Sequence, residues 1–319
     1  MPLGFLLLFA AGLCQGSFGL GYKKYNPFSW AAFWGIYNIL CIITSVSFTW
    51  IVAPSLWIVI GSLGPSCLMI PVLCGALWGL SAVGFSKAIS LVGMSMVYGI
   101  SMGISTIVGS LLPMVLDNRL PNGKSLVFFC AGLLLTLLGV AIITVSGIQR
   151  DGGTKRSTLG IILSILSGLG SGAMNVGFTY AESISLEFEK LDYSQAAVSG
   201  GKWLPVLVGG CLFGALFCAF ELSIKKEWHT IKMSGALRRT GCLLGVSIIW
   251  YAALLLYGLS TTMLGSTGNS IGWILFNSLA LVISVLWGLV SGEWNNKRKA
   301  TLFTGCLLLI VAWIFTALV

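Results

Sequence analysis

Charged residues are scarce in this chain. They make up 8% of its 319 residues, and only nine of them are Asp or Glu. About a quarter of the residues of a typical soluble domain are charged, so this composition excludes an ordinary water-soluble protein. The chain also has a single histidine, no H-E-x-x-H motif and no phosphate-binding loop, which leaves no recognisable catalytic centre. We therefore expect a protein that is not an enzyme.

Motifs of cysteine chemistry are missing as well, although nine cysteines are present. None of them belongs to a C-x-x-C motif, and all fall inside or at the edge of apolar stretches. Cysteines in such positions are usually small core residues, not parts of a disulfide framework or a metal site. We expect neither a bound metal nor another cofactor.

Apolar sequence is abundant. Hydrophobic residues make up 57% of the chain and the mean hydropathy is +0.97, as is typical of a polytopic membrane protein. The 41 glycines fit helices that pack closely in lipid. At about 20 residues per span, we predict an all-α integral membrane protein with ten transmembrane helices, near residues 3–22, 29–53, 65–87, 91–116, 126–148, 159–181, 196–220, 239–259, 264–291 and 300–318.

The two halves of the chain are weakly similar to each other. A shift of 172 positions aligns three pairs of residues, namely Trp78 with Trp250, Gly93 with Gly265 and Ser105 with Asn277. The pentapeptide GLCQG at 12–16 likewise resembles GLGSG at 168–172. Five spans per half is an odd number, so the second half enters the membrane from the opposite side. We predict two inverted five-helix repeats, 1–150 and 159–319, joined by a cytoplasmic linker at 151–158.

The basic residues indicate the orientation in the membrane. The connections that follow odd-numbered spans hold fourteen Lys and Arg, whereas those that follow even-numbered spans hold three. Because basic residues mark cytoplasmic loops, we expect the odd connections in the cytoplasm and both termini outside. The net charge of +9 then reflects orientation, and we expect no nucleic-acid partner.

Polar side chains at mid-depth are expensive in a bilayer and tend to mark a pathway. In this chain they are amides, hydroxyls and aromatic rings, which hydrogen-bond sugar hydroxyls and stack on the apolar face of a sugar ring. Alternatively, they join helices and anchor the protein at the lipid interface. The candidate substrate-binding residues are Gln15, Asn38, Trp78, Ser101, Ser105, Asn175, Trp250, Tyr251, Asn269, Trp273 and Asn277.

Few charged residues fall within the predicted spans. Lys202 lies about two turns inside the seventh span, where it either snorkels outward or pairs with an acid such as Glu182. The candidates for proton coupling are Glu182, Asp117 and Lys202, and Glu221 and Glu293 also lie at span ends. A solvated charge is the alternative for each acid. The connection AESISLEFEKLDYSQ after the sixth span is acidic, and its amphipathic pattern fits a short surface helix. We expect it to be a solvated connector, and a gating or substrate-attracting role is the alternative.

Four stretches together are similar to a known family: YKKYNPFSW at 22–30, CGALWGLSAVGFSKA at 74–88, LVGMSMVYGISMGISTIVGSLLP at 91–113 and IGWILFNSLALVISVLWGLVSGEWNN at 271–296. The chain resembles the L-rhamnose/proton symporter family of the drug/metabolite transporter superfamily over most of both halves. The resemblance implies ten helices in two inverted halves around a central site. It also implies uptake of L-rhamnose or a closely related deoxyhexose with protons, by alternating access.

The resemblance further implies a multi-pass protein of the bacterial inner membrane, with a proton as coupling ion and a sugar and the bilayer as partners. In that membrane, the termini that the basic residues place outside are periplasmic. The chain departs from the family where the ninth span begins: some members carry an acid there, and this chain has Asn269.

Two other functions stay open at this point. An exporter or exchanger of another metabolite or drug would have a wide, Met-rich cavity, and Met94, Met96 and Met102 in the fourth span allow one. A membrane sensor or assembly factor would carry a sizeable soluble domain or a long tail, and the predicted spans leave room for neither. The oligomeric state is left open.

Overall fold

The computed structural model describes residues 2–22, 26–150, 157–265, 268–292, 294 and 299–319. In this part of the chain all regular structure is helical, which confirms the predicted class. Its α-helices are α1 Pro2–Ser17, α2 Trp30–Val52, α3 Leu56–Ser62, α4 Pro65–Val92, α5 Met94–Leu116, α6 Lys124–Arg150, α7 Thr158–Thr179, α8 Glu182–Lys190, α9 Gln195–Lys225, α10 Ala236–Leu264, α11 Gly268–Val290 and α12 Lys299–Ala317. Short 3-10 turns follow α1 and α9, at Phe18–Tyr22 and Trp228–Lys232.

Nine stretches of the described chain are long and apolar enough to cross a membrane. Eight of them are α2, α4, α5, α6, α9, α10, α11 and α12, and the ninth is α7 together with the following α8. These nine correspond to the second to tenth predicted spans. The first predicted span, 3–22, consists of the 16-residue apolar α1 and the 3-10 turn that follows it.

Two short helices lie between the long ones. The connection after α7 contains α8, whose Ile184 and Phe188 are buried while Glu182 is exposed, as the amphipathic pattern of this connection predicts. The sequence did not predict α3, because its apolar residues lack a polar face and resemble a continuation of the neighbouring spans. The two short helices are in contact, and Leu56 of α3 belongs to the same apolar cluster as Ile184 and Phe188.

Glycines separate two pairs of consecutive helices. Gly93 ends α4 with φ of +88°, and Gly265 ends α10 with φ of +84°, a backbone region that favours glycine. The predicted fourth span, from 91, therefore begins too early, because α4 continues to Val92. The predicted ninth span, from 264, overlaps the end of α10 for the same reason.

Other helix starts are fixed by serine caps. In α2, α7 and α9, the hydroxyl of the preceding serine accepts the backbone N–H three residues later, a common N-cap that satisfies an otherwise free donor. The capping pairs are Ser29 with Ala32, Ser157 with Gly160 and Ser194 with Ala197.

Small residues let two central helices touch along their backbones. A Cβ added at Gly75 of α4 would lie 2.0 Å from the Val206 carbonyl oxygen of α9, and one at Gly79 would lie 2.1 Å from the Gly210 carbonyl oxygen. Such contacts leave no space for any side chain, as is common where membrane helices pack closely.

The long helices pack in a definite set of pairs. α1 lies against α10 and α11, and α7 lies against α4 and α5. In addition, α2 faces α9, α6 faces α12 and α5 faces α11. The largest apolar cluster lies at the centre and includes the aromatic side chains of Tyr37, Trp203, Trp250, Tyr257 and Trp273.

Candidate functional site

Two indole rings stack at the centre of the bundle. Trp78 of α4 and Trp250 of α10 have ring centroids 5.4 Å apart and planes only 14° from parallel. Tyr37 of α2 leans against Trp250 with centroids 6.2 Å apart. A Cβ at Gly210 would lie 2.3 Å from the Trp78 ring, so the glycine makes room for it. These two tryptophans, aligned by the repeat, form the indole stack.

Two amide side chains near this level have buried polar atoms without a partner. Gln15 Oε1 of α1 and Asn277 Nδ2 of α11 are inaccessible to solvent and make no hydrogen bond within the described part of the chain. Leaving such an atom unpaired costs about 1–3 kcal/mol. The Gln15 atom is an acceptor and the Asn277 atom a donor, so each lacks a hydrogen-bond partner of the opposite kind. Thr106 Oγ1 of α5 is likewise buried and has no hydrogen-bond partner in the described part of the chain.

Packing contacts place Gln15 near the depth of the indole stack. α1 runs antiparallel to α10, since a Cβ at Gly4 would touch Met263 and one at Gly21 would touch Val246. Gln15 lies between these contacts, level with the Trp250 region of α10 to within about one turn.

Asn277 lies at a similar depth. α11 also runs antiparallel to α10, since a Cβ at Gly268 would lie 2.3 Å from the Thr261 carbonyl oxygen and one at Gly272 would approach Tyr257. Continuing along α11, Asn277 comes level with the same part of α10 to within about one turn. Gln15, Asn277 and the indole stack therefore lie within a layer of the bundle about two turns deep. Within it, the contacts of Gly12 with Leu279 and of Gly16 with Ile283 place Gln15 beyond Asn277 along α11.

Asn175, in contrast, has its amide fully occupied. Its Nδ2 donates to the Gly109 carbonyl oxygen at 2.8 Å and to the Asn269 carbonyl oxygen at 3.2 Å. Its Oδ1 accepts from the Tyr257 hydroxyl at 2.6 Å, and that hydroxyl also lies 2.7 Å from the Asn269 carbonyl oxygen. This arrangement joins α5, α7, α10 and α11. The substrate contact predicted for Asn175 stays a prediction, and any such contact competes with these bonds.

Ser101, Ser105 and Trp273 also join helices. Ser101 Oγ donates to the Ser164 carbonyl oxygen at 2.9 Å, and Ser105 Oγ lies 3.0 Å from Ser171 Oγ. Trp273 Nε1 donates to the Ser105 carbonyl oxygen at 3.1 Å. These polar groups are satisfied by neighbouring helices, as the alternative to substrate binding expects.

The remaining two candidates border α2. Asn38 Nδ2 donates to the Trp34 carbonyl oxygen at 2.8 Å, and the amide lies against Gly214 of α9. The Tyr251 hydroxyl lies 3.3 Å from Thr49 Oγ1. The Tyr251 ring also packs edge-on against Phe48, with ring centroids 5.5 Å apart. Each of the two polar side chains therefore already has one hydrogen bond.

Lys202 is a buried cation. Its residue is 4% exposed, its Nζ lies 3.0 Å from Glu182 Oε2, and it sits 4.6 Å above the centroid of the Phe178 ring. Pairing with Glu182, one of the two predicted alternatives, is therefore correct, and snorkelling is not. The Glu182 side chain is 64% exposed, so the pair links the interior of α9 to the surface helix α8.

Other charges lie at the two ends of the bundle. Asp117, just after α5, accepts a hydrogen bond of 3.0 Å from Tyr180, just after α7. At the other end of α9, Glu221 lies 3.3 Å from Lys87 of α4 and 3.4 Å from Lys225. Glu293 lies outside the described residues. Within the described ranges, no group of three or more His, Cys, Asp or Glu is arranged to hold a metal ion.

The sequence did not single out Tyr37, Thr106 or Tyr257. Tyr37 precedes the candidate Asn38 and contacts Trp250, and Tyr257 bonds the Asn175 amide. A polar ring inside an apolar span was the available signal for both tyrosines. A threonine gave none, because its hydroxyl usually bonds to its own helix.

Comparison with known proteins gives a family and a fold. The model of the L-rhamnose-proton symport protein (RhaT) family matches residues 2–318. An L-rhamnose-proton symporter of Escherichia coli O1:K1 / APEC is 27% identical over 310 residues, which cover 91% of this chain and 90% of the relative. The symporter of Escherichia coli strain SMS-3-5 / SECEC is 26% identical over the same shares.

A solved crystal structure is also similar. It superposes with a TM-score of 0.66 at 14% identity, covering 99% of this chain and 96% of the other. At that identity the likeness concerns the fold alone. It extends over nearly the whole length of both chains.

Proposed function

Because the chain belongs to the L-rhamnose-proton symport protein (RhaT) family, we propose that it is a secondary transporter that moves a sugar across a membrane together with protons. The observation that carries this proposal is the presence of two unpaired amide atoms and an indole stack in this layer of a membrane-type bundle. Amides bond sugar hydroxyls, and indole faces pack against sugar C–H groups.

The substrate that this layer fits best is L-rhamnose or a closely related deoxyhexose. Such a sugar offers hydroxyls on its ring edge, and C–H groups and a methyl group elsewhere, which match the amides and the indoles respectively. The relatives named for L-rhamnose support this choice. The proposed direction is import, because the proton gradient of a bacterial inner membrane points inward and a symporter moves both species the same way.

The proposed architecture is two inverted five-helix repeats of the drug/metabolite transporter type, formed by α1, α2, α4, α5 and α6 and by α7, α9, α10, α11 and α12. The packing supports it. If each helix is replaced by its counterpart in the other set, the contacts of α1 with α10 and α11 become the contacts of α7 with α4 and α5, which are also present. The α2–α9, α6–α12 and α5–α11 pairs each consist of two counterparts, so they stay the same pairs.

Equivalent glycines support the same architecture. Gly93 and Gly265, aligned by the 172-residue shift, both end a helix with positive φ. A Cβ at Gly12 would strike Leu279 of α11, and one at its counterpart Gly168 would strike Ile104 of α5. The corresponding helices thus meet through corresponding glycines.

Transport by alternating access is proposed from the position of the site between the repeats. The indole stack joins α4 of the first repeat to α10 of the second, so a rocking of the repeats exposes it to either side in turn. The distribution of Lys and Arg supports cytoplasmic odd-numbered connections and external termini. In that orientation α3 and α8 lie on the external side.

Proton coupling is proposed for the pairs at the end where α7 meets α8. Glu182 holds the buried Lys202, and Asp117 accepts from Tyr180. Protonation of either carboxylate weakens its contact, and each contact joins two separate segments. A proton taken up there can therefore loosen one end of the bundle.

An exporter with a Met-rich cavity receives no support from the side-chain positions. Met94 is 53% exposed at the start of α5, Met96 packs with Ala88 and Val92, and Met102 packs on the α6–α12 side. None of the three belongs to the central cluster.

The test is uptake of radiolabelled L-rhamnose into proteoliposomes, with and without an inward proton gradient. We expect the gradient to stimulate accumulation and a protonophore to abolish that stimulation. Uptake that ignores the gradient would contradict proton coupling. Absence of uptake by protein that remains monodisperse in detergent would contradict L-rhamnose as the substrate.

A further inference from the structure

The division of the sequence into two repeats differs from the division of the bundle by packing. α1 of the first repeat lies against α10 and α11 of the second, and α7 of the second lies against α4 and α5 of the first. Within its own repeat, α1 makes almost no contact with α2, α4 or α5 in the described structure. Helices of different repeats are thus packed together.

Direct contacts between main chains follow this packing. A Cβ added at Gly170 of α7 would lie 2.8 Å from a carbonyl oxygen of α4, and one at Gly168 would lie 2.9 Å from a carbonyl oxygen of α5. A Cβ at Gly16 of α1 would lie 2.7 Å from a carbonyl oxygen of α11. No flexible side chain separates these main chains, so helices joined in this way move together.

These contacts define two units of four helices. The first unit is α4, α5, α7 and α9, because α4 also meets the main chain of α9 at Gly75 and Gly79. The second unit is α1, α2, α10 and α11. In it, α11 meets the main chain of α10 at Gly268, and α2 bonds α10 through Thr44 and Ser247, whose hydroxyl oxygens lie 3.0 Å apart. Each unit combines the first two long helices of one repeat with the next two of the other.

Contacts between the two units are made by side chains. A Cβ at Gly35 or Gly214, between α2 and α9, would be nearest to side-chain atoms, and so would one at Gly109, between α5 and α11. The indole stack is a further contact of this kind, since Trp78 belongs to the first unit and Trp250 to the second. Side chains can change rotamer, so the bundle can open along this boundary.

Hydrogen bonds close the boundary at the end that the proposed orientation places outside. Ser199 Oγ of α9 donates to the Leu255 carbonyl oxygen of α10 at 3.0 Å, and Trp203 Nε1 donates to the Leu254 carbonyl oxygen at 2.7 Å. The counterpart of this seam in the other repeat lies between α2 and α4, and these two helices barely touch in the described structure. The external seam is therefore closed, whereas its cytoplasmic counterpart is not.

We propose that transport moves α4, α5, α7 and α9 as one unit against α1, α2, α10 and α11, and that the α9–α10 seam is the external gate. Opening this gate breaks the hydrogen bonds of Ser199 and Trp203 to α10, while the main-chain contacts within each unit persist. The inference rests on the proposed alternating access. It adds which helices move together.

The test is disulfide cross-linking in a cysteine-free background, followed by uptake of L-rhamnose into proteoliposomes. The gate pair is Ser199→Cys with Gly258→Cys, because a Cβ at Gly258 would lie 3.0 Å from the Ser199 Cβ. In natural disulfides the Cβ atoms are about 3.5–4.5 Å apart, so a small shift lets the bridge form. Each variant is measured in its oxidised and its reduced form.

Two control pairs join the two repeats but lie within one unit. They are Gly160→Cys with Val92→Cys, where α7 meets α4, and Gly21→Cys with Val246→Cys, where the turn after α1 meets α10. In each pair the two Cβ atoms would lie 3.4 Å apart. The gate pair has the opposite property, because both of its residues belong to the second repeat but to different units.

Oxidation of the gate pair should lower uptake at least about tenfold, with recovery after reduction, and oxidation of either control pair should change uptake by less than about twofold. Uptake that survives the gate bridge, or that stops with either control bridge, would overturn the proposed units. If the gate pair does not fold, the control pairs still carry the test, because repeats that rock as blocks would be locked by both bridges. Absence of uptake by the unaltered protein would overturn the proposed function, and the gate with it.

Discussion

Replacing Glu182 by Gln removes the carboxylate that lies 3.0 Å from the Lys202 ammonium. The two partners differ in burial, since the Lys202 side chain is 6% exposed and the Glu182 side chain 64%. After Glu182→Gln, Lys202 stays charged and buried, with the Phe178 ring as its remaining electrostatic contact in the described structure. After Lys202→Met, the released carboxylate is already largely in water. The two single substitutions therefore have unequal effects.

The magnitudes follow from this inequality. Removing one partner of a fully buried pair costs about 3–5 kcal/mol, and an exposed pair is worth about 0–1 kcal/mol. For a half-exposed pair we expect Glu182→Gln to lower the free energy of unfolding by about 1–3 kcal/mol. Lys202→Met should change it by less than about 1 kcal/mol, because losing the pair is offset by no longer burying an ammonium.

The assay is thermal unfolding in detergent, where 1 kcal/mol corresponds to roughly 2 °C for a chain of this size. The double variant should melt near Lys202→Met, because Glu182 has no cation left to hold. The control is Glu187→Gln on the same helix, which breaks the exposed pair with Lys190 and should leave the melting temperature almost unchanged. If Lys202→Met were the more damaging single change, the contact with Phe178 would outweigh the ion pair and this reasoning would be wrong.

Three further predictions concern a buried hydrogen bond, the packing of two helices and the orientation in the membrane. Tyr257→Phe removes the donor to Asn175 Oδ1 and should cost about 1–3 kcal/mol of unfolding free energy, measured by melting, whereas Tyr180→Phe in an exposed pair should cost less. Gly79→Ala puts a methyl group 2.1 Å from a carbonyl oxygen of α9 and should greatly reduce the yield of monodisperse protein, with Gly84→Ala as the tolerated control. A cysteine added after Val319 in a cysteine-free background should react with an impermeant thiol reagent in intact cells, and protection until permeabilisation would refute the external terminus.

Much of the fold was predictable because the bilayer limits the choices. Apolar segments of about 20 residues can only be helices there, so nine predicted spans correspond to helices in the described structure. The alignment of Trp78 with Trp250 also identified two residues that stack, although their role stays a prediction. Span counting could not find α3, because a seven-residue apolar helix has no signal that separates it from its neighbours.

The candidate site was less predictable, because a polar atom can be buried either with or without a hydrogen-bond partner. Sequence reasoning treated Asn175 and Asn277 alike, as amides at mid-depth. The first is bonded to Gly109, Asn269 and Tyr257, whereas Nδ2 of the second has no partner in the described structure. Such a difference depends on which helices lie opposite and in what register, and no spacing within one helix contains that information.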